Sequence, residues 1–146
     1  MNTITLACRI RPDYFAGATA LHLTINLDDE PIFSQAITDA VDFSHEISDD
    51  TAHHRLEFCL SGKTFKHSPW DSAGTILADC RVHIDNISFD DIDLADVFRT
   101  HSRYTHSYND PDKDPVTDEF HGVMGCNGQV VFEFESPMYL WLLEHM

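Results

Sequence analysis

The side chains able to do chemistry in this chain fall into carboxylate, imidazole and aromatic groups. Asp85, Asp90, Asp91, Asp93 and Asp96 crowd into "DNISFDDIDLAD". Hard cations such as calcium take roughly six to eight oxygen ligands, and turns rich in Asp can supply them. Asp85, Asp90 and Asp91 are therefore the candidate metal ligands. The run "DIDLAD" nevertheless lacks EF-hand spacing, the central glycine and the closing glutamate, and a solvated acidic loop is the favoured account of it. Among the imidazoles, His53 and His54 adjoin. On a strand they point to opposite faces and cannot easily share an ion. His101, His106 and His121 share one polar stretch with Asp110, Asp112 and Asp114. A metal could be assembled there, but the spacing fits no structural or catalytic zinc pattern. The aromatics Trp70, Tyr104, Tyr108 and Phe65, with Tyr14 and Phe15, fall in expected loops or at strand ends. There they could stack on a sugar ring or a partner, or simply anchor a loop.

Enzyme motifs are absent: the sequence has no GxSxG, P-loop, GxGxxG or HExxH. Its 25 acidic residues offer no distinguishable glycosidase pair. The expectation is a protein that binds and does not catalyse.

The elements that must position these groups alternate with period two. Ile4, Leu6, Cys8 and Ile10 form one run, and Leu21, Leu23, Ile25 and Leu27 a second. Leu56, Phe58 and Leu60 form a third, Ile76 to Ile84 a fourth, and Val130, Phe132 and Phe134 a fifth. Each reads as a strand buried on one face and wet on the other, which is the antiparallel pattern. No amphipathic stretch of about a dozen residues separates them, so βαβ units are not expected. Turn signals at "LDDEP" (27–31), "DD" (49–50), "SGK" (61–63) and "CNGQ" (126–129) punctuate the runs. The last contains Asn-Gly, a strong hairpin signal. In "RVHIDNISF" the apolar parity slips between Ile84 and Ile87, predicting a β-bulge or a break near Asp85 or Asn86. Residues 99–122 are polar and read as one long loop. The fold class expected is all-β: a single antiparallel β-sandwich over residues 1–146, jelly-roll-like or carbohydrate-binding-module-like, with a short C-terminal helix.

Composition sets the outer bounds. A chain of 146 residues with 42% hydrophobic content can bury a core without staples. Its formal charge of -16 opposes nucleic acid and anionic membranes and suits docking on a basic protein surface. Protonation of its ten histidines would cancel much of that charge in mild acid. The N-terminus carries charges where a signal-peptide core would run, and no segment is long and apolar enough to span a bilayer. No export and no membrane insertion are expected. Cys8, Cys59, Cys80 and Cys126 form no CxxC pair and read as free thiols, with Cys8 and Cys80 in the core.

Two resemblances add to this reading. "HHRLEFCLSGKT" and "WDSAGTILADCRVHIDNISFDDIDL" resemble the second half of calcium-dependent, xylan-binding-type carbohydrate-binding modules. His54, Leu56 and Phe58 follow one strand pattern of that family, and Ile84, Asp85, Ile87, Phe89, Asp90 and Asp91 follow another. The chain has Ser61 and Gly62 where the family carries an Asn-Asp pair that helps hold calcium, and Asp91 where it carries a glycine. That resemblance implies a sandwich that binds sugar, with calcium as the one cofactor to consider. The chain is also similar to small proteins of marine tailed phages. The shared positions are His54, Leu56, Gly62, Lys63, Asp71, Gly74, Ile76, Asp79, Ile84, Ile87, Pro137, Tyr139, Trp141 and Leu142. This second resemblance implies a virion structural protein assembled in the host cytoplasm: a capsid decoration, collar, baseplate or fibre-associated part. Its partners would be other virion subunits, in a homo-oligomer or hetero-complex, with a host-surface glycan as a further contact. The leading expectation is that virion role, with a carbohydrate-binding module as the alternative.

The end of the chain, "SPMYLWLLEHM", has a role in either case. Pro137 should end the last strand. Residues 139–145 then read as one or two helical turns that are apolar all round. Leu140 and Leu143 are expected to cover the sandwich, leaving Tyr139, with Trp141 or Leu142, for a partner.

Overall fold

The computed structural model describes residues 3–13, 20–49, 52–62, 80–106, 114–125 and 127–145. Two antiparallel sheets enclose one core. In the first, the strand order is β10(Val123–Met124), β6(Arg81–Phe89), β1(Thr3–Asp13) and β4(Val41–Ser48), with β7(Ile92–Asp93) also paired to β6. In the second it is β3(Glu30–Ile37), β2(Leu21–Leu27), β5(Ala52–Ser61), β11(Gly128–Ser136), β8(Ser102–His106) and β9(Val116–Glu119). The helix α1(Ala95–His101) leads from β7 into β8, and α2(Met138–His145) follows β11.

The expected alternation sets what lies between the sheets. Ile4, Leu6, Cys8 and Ile10 of β1 are buried, as are Leu56, Phe58 and Leu60 of β5 and Val130, Phe132 and Phe134 of β11. Each large side chain removed from water here contributes about 1.5–3 kcal/mol. Cys80 is buried as well, and Cys8 and Cys59 are free thiols. Phe98, from α1, sits at the centre of an aromatic cluster, with ring centroids 5.8 Å from Phe58, 5.6 Å from Phe120 and 5.3 Å from Phe132.

The parity slip is a bulge within a continuous strand. Ala7 opposes Ser88 and Arg9 opposes Asp85, so β6 spends an extra residue there. Asn86 absorbs it at φ 55, which Asn tolerates better than a branched residue. That restores Ile87 and Phe89 to the core. Two Asp-Asp pairs make tight hairpins: Asp28 and Asp29 join β2 to β3, and Asp90 and Asp91 join β6 to β7. All four residues have positive φ, the type I′ geometry that matches strand twist.

Two expectations need correction. Asn127-Gly128 is not a hairpin, because β10 and β11 belong to different sheets. Gly128 is needed for close approach instead: a Cβ there would run into the Thr105 carbonyl oxygen and the Cα of His106. Residues 99–122 are not one loop. They include the end of α1 and the strands β8 and β9. All of β9 is exposed, so its pattern carries no burial signal, and it is held by ladder pairing to β8. The segment 71–79, expected to begin the fourth run, lies outside the described residues.

Candidate functional site

The C-terminal helix is where apolar side chains reach the surface. β11 ends at Ser136, and Pro137 turns the chain out of the sheet. The first helical N–H, of Met138, donates to Asp49 Oδ1 at 2.9 Å, satisfying one of the amides that a helix start leaves without a partner. Met138, Trp141 and Leu142 are buried. The indole of Trp141 meets Phe132 edge-on at 5.6 Å and Phe134 at 6.5 Å. His145, itself exposed, borders this face: its ring stacks on the indole at 4.4 Å, and its Nδ1–H donates to the Trp141 carbonyl at 2.7 Å. His101 packs against both, 5.7 Å from Trp141 and 5.1 Å from His145.

The outer face is the reverse of the expected one. Leu140 and Leu143 are exposed, at 59% and 76%, and Tyr139 is exposed at 50%. Trp141 and Leu142, expected as partner contacts, belong to the core. The i, i+3, i+4 series Met138, Trp141, Leu142 is the apolar stripe that faces the core, and it carries the largest ring. That series was legible in the sequence and would have placed Leu140 and Leu143 outside.

Carboxylates flank the exposed ridge. Asp90 Oδ1 accepts the Thr5 N–H at 2.7 Å, fixing its other oxygen 3.4 Å from the Tyr139 hydroxyl, which donates to it. Partial desolvation, then the charges of Asp90 and Asp49, hold the Tyr139 phenol above its ordinary pKa. Glu144, exposed, follows Leu143 on the helix.

The candidate metal carboxylates have other roles. Asp90 and Asp91 form the hairpin turn, and Asp85 pairs with Arg11 at 3.1 Å. No three His, Cys, Asp or Glu side chains among the described residues are grouped to hold a metal ion. Of the histidines, His53 faces out toward Glu133, while His54 is buried with Nδ1 2.7 Å from Asp28 Oδ2. Tyr104 is only 7% exposed and packs on Phe120, so it anchors the core and does not project from a rim. Trp70 and Tyr108 lie outside the described residues, as do Phe65, Tyr14, Phe15, Asp110 and Asp112.

A polar cleft of about 540 Å³ opens beside β8 and β9, lined by Tyr104, His106, Asp118, Glu119, His121 and Val123. His106 and His121 are both among its lining residues. His106 Nε2 lies 2.9 Å from Asp118 Oδ2.

No protein-family model and no curated protein matches the chain. It is similar to two solved structures. One is "vCBM60 in complex with galactobiose", with 16% identity over 90% of this chain and 97% of that chain, at a TM-score of 0.45. The other is a vCBM60 form from work on circular permutation between two families of calcium-dependent carbohydrate binding modules, with 14% identity over 88% and 89%, at a TM-score of 0.48.

Proposed function

We propose that this β-sandwich is a non-catalytic binding domain that docks on another protein through the outer face of α2. The observation that carries this reading is the exposed apolar ridge of Tyr139, Leu140 and Leu143. Clustered exposed apolar side chains of this kind mark interfaces. The ridge stands on a helix whose opposite face is held by Trp141 and Leu142 in the core, so it is presented rigidly and without induced order. A virion as the assembly that receives it is the reading drawn from the phage-protein resemblance at Pro137, Tyr139, Trp141 and Leu142.

Carbohydrate binding is the second reading, and the polar cleft favours it. Two carboxylates and two imidazoles on one open surface suit the hydroxyls of a sugar, and calcium is the cofactor to test with it. Two experiments separate the readings. Co-expression with proteins encoded beside this one, followed by light scattering on the purified complex, should give a stable hetero-complex that is lost in Leu140→Ser/Leu143→Ser. A glycan array with calcium and with chelator tests the sugar reading. Calcium-dependent glycan binding by a monomer, together with complexes indifferent to the ridge variant, would reverse the order.

A further inference from the structure

The carboxylates around α2 say which protein surface the ridge fits, an inference that rests on the docking reading. Asp90 is pinned by the Thr5 N–H and Asp49 by the Met138 N–H, so two charges are fixed at the N-terminal end of the ridge. Glu144 stands at its other end, next to Leu143, and Asp91 is exposed beside Asp90. Among the described residues, Arg9 is drawn to Asp42, Arg11 to Asp13 and Asp85, Arg55 to Glu57, and Arg81 to Asp13, Arg103 donates to the Thr100 and Ser102 carbonyls, and Arg99 is exposed on α1. The result is a short apolar ridge in an acidic collar.

We infer that the partner of this ridge is a different protein with an apolar groove rimmed by Lys and Arg, which takes Tyr139, Leu140 and Leu143 as its anchors. A second copy is a poor fit. In a two-fold contact the same patch meets itself, so Asp49, Asp90 and Glu144 would face the same carboxylates across the interface. The ridge is also too small to supply by itself the roughly 800 Å² per partner of a standard dimer interface. Inserting a helix face into a groove suits its size, since side chains at i, i+1 and i+4 supply the contact and the rim charges set orientation.

The test uses the full chain and three labelled amphipathic peptides. One has a leucine face flanked by lysines, one has the same face flanked by glutamates, and one has the lysines with serine in place of leucine. Binding is read by fluorescence anisotropy at low and raised salt. The leucine–lysine peptide should bind, and raised salt should weaken it. Leu140→Ser/Leu143→Ser should weaken it by about tenfold or more. Because both leucines are exposed, thermal unfolding of that variant should match the parent and so certify its fold. Equal binding by the variant, or equal binding of the lysine–serine peptide, would reduce the effect to net charge and overturn the inference. Binding of the leucine–glutamate peptide as tight as the leucine–lysine one would also overturn it. A concentration-dependent dimer of the parent chain, abolished by Leu143→Ser, would keep the docking reading while discarding the basic partner. Absence of both peptide binding and self-association would count against the two together.

Discussion

The aspartates of this chain show how one residue type serves different physical ends. Asp28, Asp29, Asp90 and Asp91 take positive φ in hairpin turns, where a short polar side chain is tolerated. Asp13 does electrostatic work instead. Its Oδ2 lies 2.7 Å from His83 Nε2 and 3.1 Å from the Arg81 guanidinium, with Arg11 3.5 Å from its Oδ1. The hydrogen bond from His83, then the charges of His83, Arg81 and Arg11, outweigh partial burial and hold its carboxyl below the usual carboxylate range. A depressed folded pKa means that ionised Asp13 favours the folded state. This contribution is present above the unfolded pKa of about 4 and is lost as pH falls through the lower folded value. Asp13→Asn should therefore cost about 1 kcal/mol or less at neutral pH, as partly exposed ion pairs do. Urea unfolding of both proteins across the acid range should show the gap closing below about pH 4. A gap that persists unchanged in acid would mean that shape, and not charge, is what Asn disturbs. None of this was legible in the sequence: Asp13 and His83 are 70 residues apart, and only the pairing of β1 with β6 brings them together.

The elements were legible in proportion to their burial contrast. β1, β2, β5 and β11 alternate cleanly because one face packs and the other is wet. The bulge at Asn86 announced itself because it shifts parity. β9 did not, since every residue in it is exposed, and α1 did not, since seven residues with Val97 and Phe98 buried make less than two full amphipathic turns. The orientation of α2 was misread because it is apolar on both faces. Its phase follows from Trp141, whose ring has the most area to bury and finds Phe132 and Phe134. The two faces should respond oppositely to substitution. Trp141→Ala should destabilise by about 3–5 kcal/mol, the range for deleting a large buried ring, and should loosen the helix from the sheet. Leu143→Ser should stay within about 0.5 kcal/mol of the parent, as surface changes do. Thermal or urea unfolding measures both. A large loss in Leu143→Ser would mean that the ridge is already covered within the chain, and would remove the basis for docking through it. Deleting 138–146 outright is a poorer probe, because it also removes the buried face.

At the scale of the whole molecule, two sheets share a single core, and the thiols report on its integrity. Cys8 lies on an inner strand of the first sheet, between β6 and β4. Burial, with a smaller contribution from the Asp85 charge, pushes its pKa up to about 12. Cys80 is fully buried just before β6. Cys59 is half-buried on β5, and burial followed by the Glu57 charge raises its thiol pKa as well. The thiolate is the reactive form, so Cys8 and Cys59 should be slow toward an alkylating reagent at a pH of about 8, where an ordinary thiol is substantially ionised, and burial shields Cys80 from the reagent. The order of reaction then measures how the fold opens. Cys59 needs only local fluctuation of a partly covered position, whereas Cys8 and Cys80 are reached only when the sheets separate. If the sandwich unfolds as one unit, mass spectrometry of alkylated peptides should give Cys8 and Cys80 a common rate that rises with urea in step with global unfolding. Cys59 should react faster and with weaker urea dependence. Trp141→Ala should raise the Cys8 and Cys80 rates together, because it lowers the free energy of opening the shared core by the amount lost in stability. Cys8 and Cys80 rates that stay at the parent values in that variant, while Cys59 on β5 of the second sheet accelerates, would show that the two sheets come apart independently and that the helix stabilises only its own.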